Sequence, residues 1–350
     1  MRRVTINGRA IGPDQPPYVI AEMSANHNGS LERAYRIIDM AKAAGADAVK
    51  LQSYRADTIT IDHDGPEFRI EGGLWDGQRL YDLYADAAMP WDWHEPLFAY
   101  AKKVGISIFS SPFDHSAVDL LQSLGAPAFK IASLELCDIP LIEKVAATGK
   151  PMIMSTGASE LGEIAEAVAA ARRAGCRELI LLQCTSGYPT PPGDSNLRTI
   201  PHLAEMFDAV IGLSDHTMGT AVPVAAVALG ACVIEKHVTL ARADGGVDST
   251  FSLEPAELAQ LVADCRIGWE ALGRVQYGVT ASEATVRPLR RSLYIVQDIG
   301  AGEIITERHV RSIRPGLGLA PKYYRSILGR RAARPLKRGT ALDWTMLASE

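Results

Sequence analysis

The sequence predicts an α/β fold, a (β/α)8 (TIM) barrel followed by a small β-rich domain, and three observations carry that prediction. Eight short apolar runs of strand length alternate with helix-like stretches over roughly 250 residues, the usual size of such a barrel. The runs end in polar residues on their C-terminal side, where barrel strands open into a catalytic rim. From about residue 286 the alternation stops, and short strand-like runs, glycines and arginines replace it.

The elements follow in order. Residues 4–11 hold two short runs around Asn7-Gly8, a strong hairpin signal, read as a lid on the closed end of the barrel. The first barrel run, 18–24, carries Glu22, after which Asn28-Gly29-Ser30 turns the chain and caps a helix over 31–44. The second run, 48–53, puts Lys50 and Gln52 on one face by alternation. Residues 54–90, with Trp75, Tyr81 and Tyr84, make a connection longer than usual, and loops of that size are usually functional. A helix over 91–104 leads to the third run, 106–112, and further runs lie at 128–133, 151–156 and 179–186. The last two, 210–216 and 232–237, are joined by the Ala-rich stretch 221–231 with Gly230 near its close, which fits a crossover helix between parallel strands. A helix over 255–272 completes the series. Beyond it, 292–296 and 304–306 flank a turn at Gly300-Ala-Gly302, and 339–344 reads as the final strand of the small domain. The expected domains are therefore a barrel over 1–280, with the hairpin in 1–12, a linker at 281–290 and a terminal domain at 291–350.

Composition narrows the function classes. With 47% hydrophobic and 22% charged residues the chain reads as a soluble globular protein. No apolar run approaches the roughly 18 residues of a membrane span, and residues 4–17 are broken by Asn, Gly, Asp and Pro, leaving no signal-peptide core. A cytoplasmic protein is expected. The five cysteines lack Cys-x-x-Cys spacing, which argues against a disulfide framework and a zinc finger. Residues 286–350 hold 13 Lys+Arg against 5 Asp+Glu, leaving 23 against 36 upstream. The arginines are dispersed through an ordinary apolar pattern, so docking on an acidic neighbour and anionic-ligand contact are expected rather than nucleic-acid binding.

The chemistry lies at the strand ends. His216 and His237 finish neighbouring runs, close enough in a barrel to hold one divalent metal. A lone histidine there more often bonds to backbone, but two at matching ends, each with a carboxylate beside it (Asp215, Glu235), point to a site. Two protein ligands leave positions for water and a substrate oxygen, so the ion can act as a Lewis acid on a carbonyl. Glu22, Lys50, Gln52, Ser111, Lys130, Ser133, Ser155, Ser186 and Ser214 gather at the same rim, and core packing gives no reason for lysines and hydroxyls to converge there. Such donors suit a small, highly anionic ligand, with Glu22 and Glu135 as acids or bases tuned by burial. The set fits carbon–carbon bond chemistry on a phosphorylated or keto acid. A rival is a pyruvate aldolase in which Lys130 or Lys236 forms a Schiff base; a pure binding protein is the other.

At these residues the chain also resembles the sialic acid synthase family. The resemblance is carried by Ile20-Ala-Glu22-Met-Ser-Ala-Asn26-His27-Asn28-Gly29, Val49-Lys50-Leu-Gln52, Lys130-Ile-Ala-Ser133-Leu-Glu135, Thr185-Ser-Gly-Tyr188-Pro-Thr190, Ser214-Asp-His216 and Glu235-Lys-His237. Arg314-Pro-Gly sits in what resembles the family's antifreeze-like (SAF, β-clip) domain. Glu22-Met-Ser-Ala-Asn and Val247-Asp248-Ser-Thr-Phe-Ser-Leu-Glu-Pro255 are similar to the branch that makes pseudaminic acid; N-acetylneuraminate and legionaminate synthases are the alternatives. The resemblance implies condensation of phosphoenolpyruvate with an amino-sugar aldehyde, 2,4-diacetamido-2,4,6-trideoxy-L-altrose for that branch, with release of phosphate. It implies a divalent metal, Mn2+ or Mg2+, on His216 and His237. Phosphoenolpyruvate would be held by Lys50, Ser111, Lys130, Ser133, Ser155, Ser186 and Ser214, although Ser186 stands where neuraminate synthases often have asparagine. Gln52, Tyr188, Asp248 and Arg314 would contact the sugar, and Glu22 and Glu135 would lie near the reacting atoms. It also implies a domain-swapped homodimer in which the small domain covers the partner's barrel, in keeping with the charge split.

Overall fold

The computed structural model describes residues 3–348; the outermost residues of the predicted hairpin region and terminal domain lie outside the described residues. The chain divides into two units, Met1–Gly273 and Arg274–Glu350. The first begins with a hairpin of β1 (Val4–Ile6) and β2 (Arg9–Ile11), turning at Asn7 and Gly8, both with positive φ. Eight parallel strands follow: β3 (Tyr18–Glu22), β4 (Ala48–Ser53), β5 (Ser107–Pro112), β6 (Phe129–Ile131), β7 (Met152–Ser155), β8 (Leu179–Cys184), β9 (Val210–Asp215) and β10 (Val233–His237). They close into a barrel in sequence order, β10 returning to β3 with His237 opposite Glu22.

Alternation decides what each strand presents inside and outside. Tyr18, Ile20, Phe109, Ile153, Ile180, Val210 and Val233 fill the lower barrel, closed from beneath by Val4, Ile6 and Ile11 of the hairpin. The intervening residues, among them Val19, Val49, Met154, Leu181 and Ile234, face the helical layer. That layer comprises α1 (Leu31–Ala43), α2 (Ala56–Ile59), α3 (Leu80–Ala87), α4 (His94–Val104), α5 (His115–Ser123), α6 (Ile139–Ala146), α7 (Leu161–Arg173), α8 (Thr199–Met206), α9 (Ala221–Ala228) and α10 (Pro255–Leu272). A Cβ at Gly212 would lie 2.4 Å from the Val233 carbonyl oxygen, so glycine lets β9 and β10 approach in mid-barrel.

Some elements differ from their sequence reading. The connection over 54–90 contains α2, α3 and an Arg69–Arg79 bridge instead of running as one loop. α9 ends at Ala228 because Gly230 takes φ +99°. β6 is only three residues long because Ser133–Glu135 tightens into a 3-10 turn.

In the second unit β11 (Ser292–Ile295) and β12 (Val310–Ile313) pair antiparallel, and α11 (Tyr324–Ile327) adds Ile327 to a core of Leu293, Ile295, Ile305, Val310 and Leu342. The strands predicted at 304–306 and 339–344 reduce to single bridges, Ile304–Arg331 and Tyr294–Ala341. Asp343 ends the second of these by accepting from Thr345 N at 2.7 Å, which caps a 3-10 turn at Trp344–Met346. The unit boundary follows the end of α10 at Gly273, whereas the sequence boundary at 280 falls within residues 274–291, an exposed stretch with two short 3-10 turns.

Candidate active site

The inward positions of the upper barrel are charged. Lys50 Nζ donates to Glu235 Oε1 at 2.8 Å and lies 3.3 Å from Glu22 Oε2. Lys130 Nζ lies 3.7 Å from the same Glu235 oxygen, to which Ser214 Oγ donates at 3.0 Å. All five residues are buried. Burial raises the Glu22 carboxyl to about 7 despite the nearby Lys50 ammonium. Burial pushes Glu235 the same way, but Lys130 and Lys50 overcome it and hold that carboxylate at about 2. The Lys130 amine is lowered to about 8 by burial, with Glu235 opposing. Burial disfavours the Lys50 charge too, yet Glu22 and Glu235 more than offset it and shift Lys50 upward.

Beside this cluster, serines converge on the loop after β7. A Cβ at Gly157 would meet Ser186 Oγ at 2.6 Å and Ser133 Oγ at 2.7 Å, so only glycine admits both hydroxyls. Gly157 N already donates to Ser133 Oγ at 3.2 Å. Ser155 Oγ is buried and makes no hydrogen bond among the described residues. Hydroxyls and a backbone N–H next to two lysines form a cradle suited to a phosphate or carboxylate.

The two imidazoles stand across the same cavity with ring centroids 5.2 Å apart. Nδ1 of His216 bonds the Thr185 carbonyl at 2.9 Å, which assigns a proton to that nitrogen and leaves Nε2 as the position a cation could take; burial disfavours the charged ring, but hydrogen bonding to Cys184 and Thr185 raises this imidazole above its ordinary value. His237 is held well below the usual histidine range by burial and by the neighbouring His216 and Lys50 charges. Its Nδ1 is buried without a hydrogen bond among the described residues, 3.9 Å from Asp248 Oδ2. Among the described residues no set of three or more His, Cys, Asp or Glu side chains is arranged around a common point. The donors present for a cation are thus the two imidazoles, and any further ligands would have to come from water and substrate.

Gln52 Nε2 donates to Glu22 Oε1 at 2.9 Å, and Ser24 Oγ donates to Asp248. Ser24 takes φ +49°, a strained conformation for a non-glycine residue, directly under the cavity. The Tyr188 ring lies 4.5 Å from His216 and 5.6 Å from Trp75, whose indole N–H donates to the Val247 carbonyl at 3.3 Å. Burial raises the half-buried Glu135 carboxyl to about 7.

Of the residues expected from sequence, Lys50, Gln52, Lys130, Ser133, Glu135, Ser155, Ser186, Tyr188, Ser214, His216, His237 and Asp248 line one cavity of about 360 Å³. Glu22 lies just behind it through Gln52 and Lys50. Ser111 is buried on β5 opposite Gln52 but does not line the cavity, and Arg314 is exposed in the second unit. Two expectations are corrected. Asp215 faces out of the barrel, where it accepts from Lys236 Nζ at 2.5 Å, so the carboxylate beside His216 is not in the site and Lys236 cannot serve as its Schiff-base amine. Glu235, singled out in sequence only as the neighbour of His237, is the carboxylate that joins both lysines. Its two-residue spacing from His237 was the available signal. Cys184 also lines the cavity: burial pushes its thiol up, but hydrogen bonding to His216 carries it below the usual range. No sequence motif marked it.

Comparison with known proteins agrees with this geometry. The NeuB family pattern matches residues 37–277 and the SAF domain pattern residues 290–348. The pseudaminic acid synthase of Helicobacter pylori is 41% identical over 94% of this chain and 97% of its own length. The N,N'-diacetyllegionaminic acid synthase of Campylobacter jejuni is 37% identical over 91% of this chain and 96% of its own length. A crystal structure of an N-acetylneuraminic acid synthetase from Leptospira borgpetersenii, in complex with citrate, superposes with a TM-score of 0.73 at 34% identity, covering 81% of this chain and 95% of that one. The chain belongs to the NeuB family and carries a C-terminal SAF domain.

Proposed function

We propose that the protein condenses phosphoenolpyruvate with 2,4-diacetamido-2,4,6-trideoxy-L-altrose to give pseudaminic acid and phosphate. The observation that carries this reading is the meeting, in one cavity, of a lysine–serine cradle for an anion with two buried imidazoles, one of them with an unpartnered Nδ1 among the described residues. Identity of 41% and 43% to pseudaminic acid synthases, against 37% to a legionaminic acid synthase, favours the branch. Lys50, Lys130, Ser133, Ser155, Ser186 and Ser214 hold the enolpyruvate phosphate and carboxylate. Gln52, Tyr188 and Asp248 orient the sugar. Bound to His216 and His237, a divalent ion (Mn2+ or Mg2+) would polarise the sugar's aldehyde oxygen.

The chain's own groups handle charge and protons. C3 of the enolpyruvate attacks the aldehyde carbon, water adds at C2, and the C2–O bond breaks so that phosphate leaves with the bridging oxygen. Glu22 and Glu135, both near 7, exchange protons close to neutral pH, and the Lys50 ammonium balances the departing phosphate. Phosphoenolpyruvate labelled with oxygen-18 at the bridge is expected to deliver the label to phosphate when purified protein is given the diacetamido sugar. Label retained in the nine-carbon product, or no phosphate release, would exclude the reaction. The aldolase reading survives only through Lys130, whose amine lies near 8, and borohydride inactivation in the presence of pyruvate would favour it.

In the same reading the protein acts in the cytoplasm as a homodimer; among the described residues no helix is long and apolar enough to cross a membrane. Arg314 of one chain donates to the sugar in the cavity of a second copy. Mixing Arg314→Ala with Lys50→Ala protein is expected to restore up to about a quarter of wild-type activity, because about half of the dimers are mixed and each of those has one intact composite site of two. Activity no greater than the sum of the two variants alone would refute the arrangement.

A further inference from the structure

We propose that the segment between β4 and α4 forms an apolar wall that selects a sugar deoxygenated at its far end, an inference that rests on the condensation reading above. The cavity is two-faced. Its floor carries the lysines, carboxylates, serines and imidazoles, whereas its cover is largely hydrocarbon: Ile59, Ile70, Trp75, Leu80, Leu83 and Ala87, all from the inserted segment. Leu80, Leu83 and Ala87 fall at i, i+3 and i+7 of α3, one stripe of that helix. A stripe of this kind ordinarily packs into a core; this one lines the cavity instead. Trp75 holds the wall in place through its bond to the Val247 carbonyl and its ring contact with Tyr188.

The placement of substrate follows from the floor. The aldehyde carbon must reach the enolpyruvate beside Lys50, Lys130 and the histidines, so the opposite end of the open-chain sugar points towards the cover. A methyl group there meets Leu83 and Ile70 favourably. A hydroxyl would lose water against alkyl groups, since the inserted segment brings to the lining only the hydroxyls of Tyr54 and Tyr84 and the already bonded Trp75 indole N–H as side-chain polar groups. The wall thus separates 6-deoxy from 6-hydroxy sugars rather than reading the acetamido groups.

The test compares phosphate release by the full-length protein with 2,4-diacetamido-2,4,6-trideoxy-L-altrose and its 6-hydroxy counterpart. Wild type is expected to favour the deoxy sugar about 10- to 100-fold in kcat/KM. Leu83→Ser, and independently the half-buried Ile70→Ser, are expected to narrow that ratio at least about fivefold with phosphoenolpyruvate KM unchanged. Equal use of both sugars by wild type, or an unchanged ratio in a folded variant, overturns the wall while leaving the condensation intact. Absence of phosphate release with either sugar overturns the condensation itself, and the wall with it.

Discussion

Replacing Glu235 by glutamine is expected to cost about 3–5 kcal/mol of folding stability and roughly 10²- to 10³-fold in turnover. Glu235 is buried and is the shared partner of Lys50 and Lys130, with Ser214 donating to the same oxygen. Glutamine keeps the shape but leaves Lys130 without its main countercharge and Lys50 with Glu22 alone. Denaturant unfolding reads the stability and phosphate release reads the turnover. The wild-type pH dependence has a definite sign. Because its carboxyl is depressed from 4.5 to about 2, the Glu235 contribution is fully present above about 4.5 and is lost as pH falls towards 2. The variant should show a flatter acid limb over that window. A variant as stable and active as wild type would mean that the buried ion cluster is incidental to both.

His237→Ala is expected to lower turnover about 10³-fold, corresponding to about 4 kcal/mol of lost electrostatic stabilisation, while the barrel stays folded. The ring sits at the end of β10 with an Nδ1 that is unbonded among the described residues, 5.2 Å from the His216 ring, so its removal would halve the proposed protein ligands for a cation. The check that does not depend on activity is thermal: Mn2+ at about 100 times its dissociation constant should stabilise wild type by about 2.7 kcal/mol and the variant by almost nothing. Full wild-type turnover in excess chelator would remove the metal from the mechanism.

Period and position along the chain are enough to specify the local elements. Alternation in the stretch 48–53 put Lys50 and Gln52 on one face, and both do face the barrel interior. The helix over 255–272 was legible from its apolar pattern and the proline at its start. Asp215 and Glu235 looked alike beside their histidines, yet alternation sends Asp215 outward and Glu235 inward. The inserted segment looked like a loop because α2 and α3 are only four and eight residues long, too short for a helical period to emerge. In the terminal domain, glycine-bounded runs resembled strands but closed as single bridges.

By itself, then, the sequence determined the architecture and the identity of the rim, since two-residue and 3.6-residue periods are local properties and motifs survive without coordinates. Only the tertiary structure decided who partners whom. Lys50 and Glu235 are 185 residues apart and meet because β10 closes the barrel against β3, next to β4. The same closure brings a wall from one connection over a floor drawn from several strand ends, and no local pattern encodes a distance set by the curvature of a closed sheet.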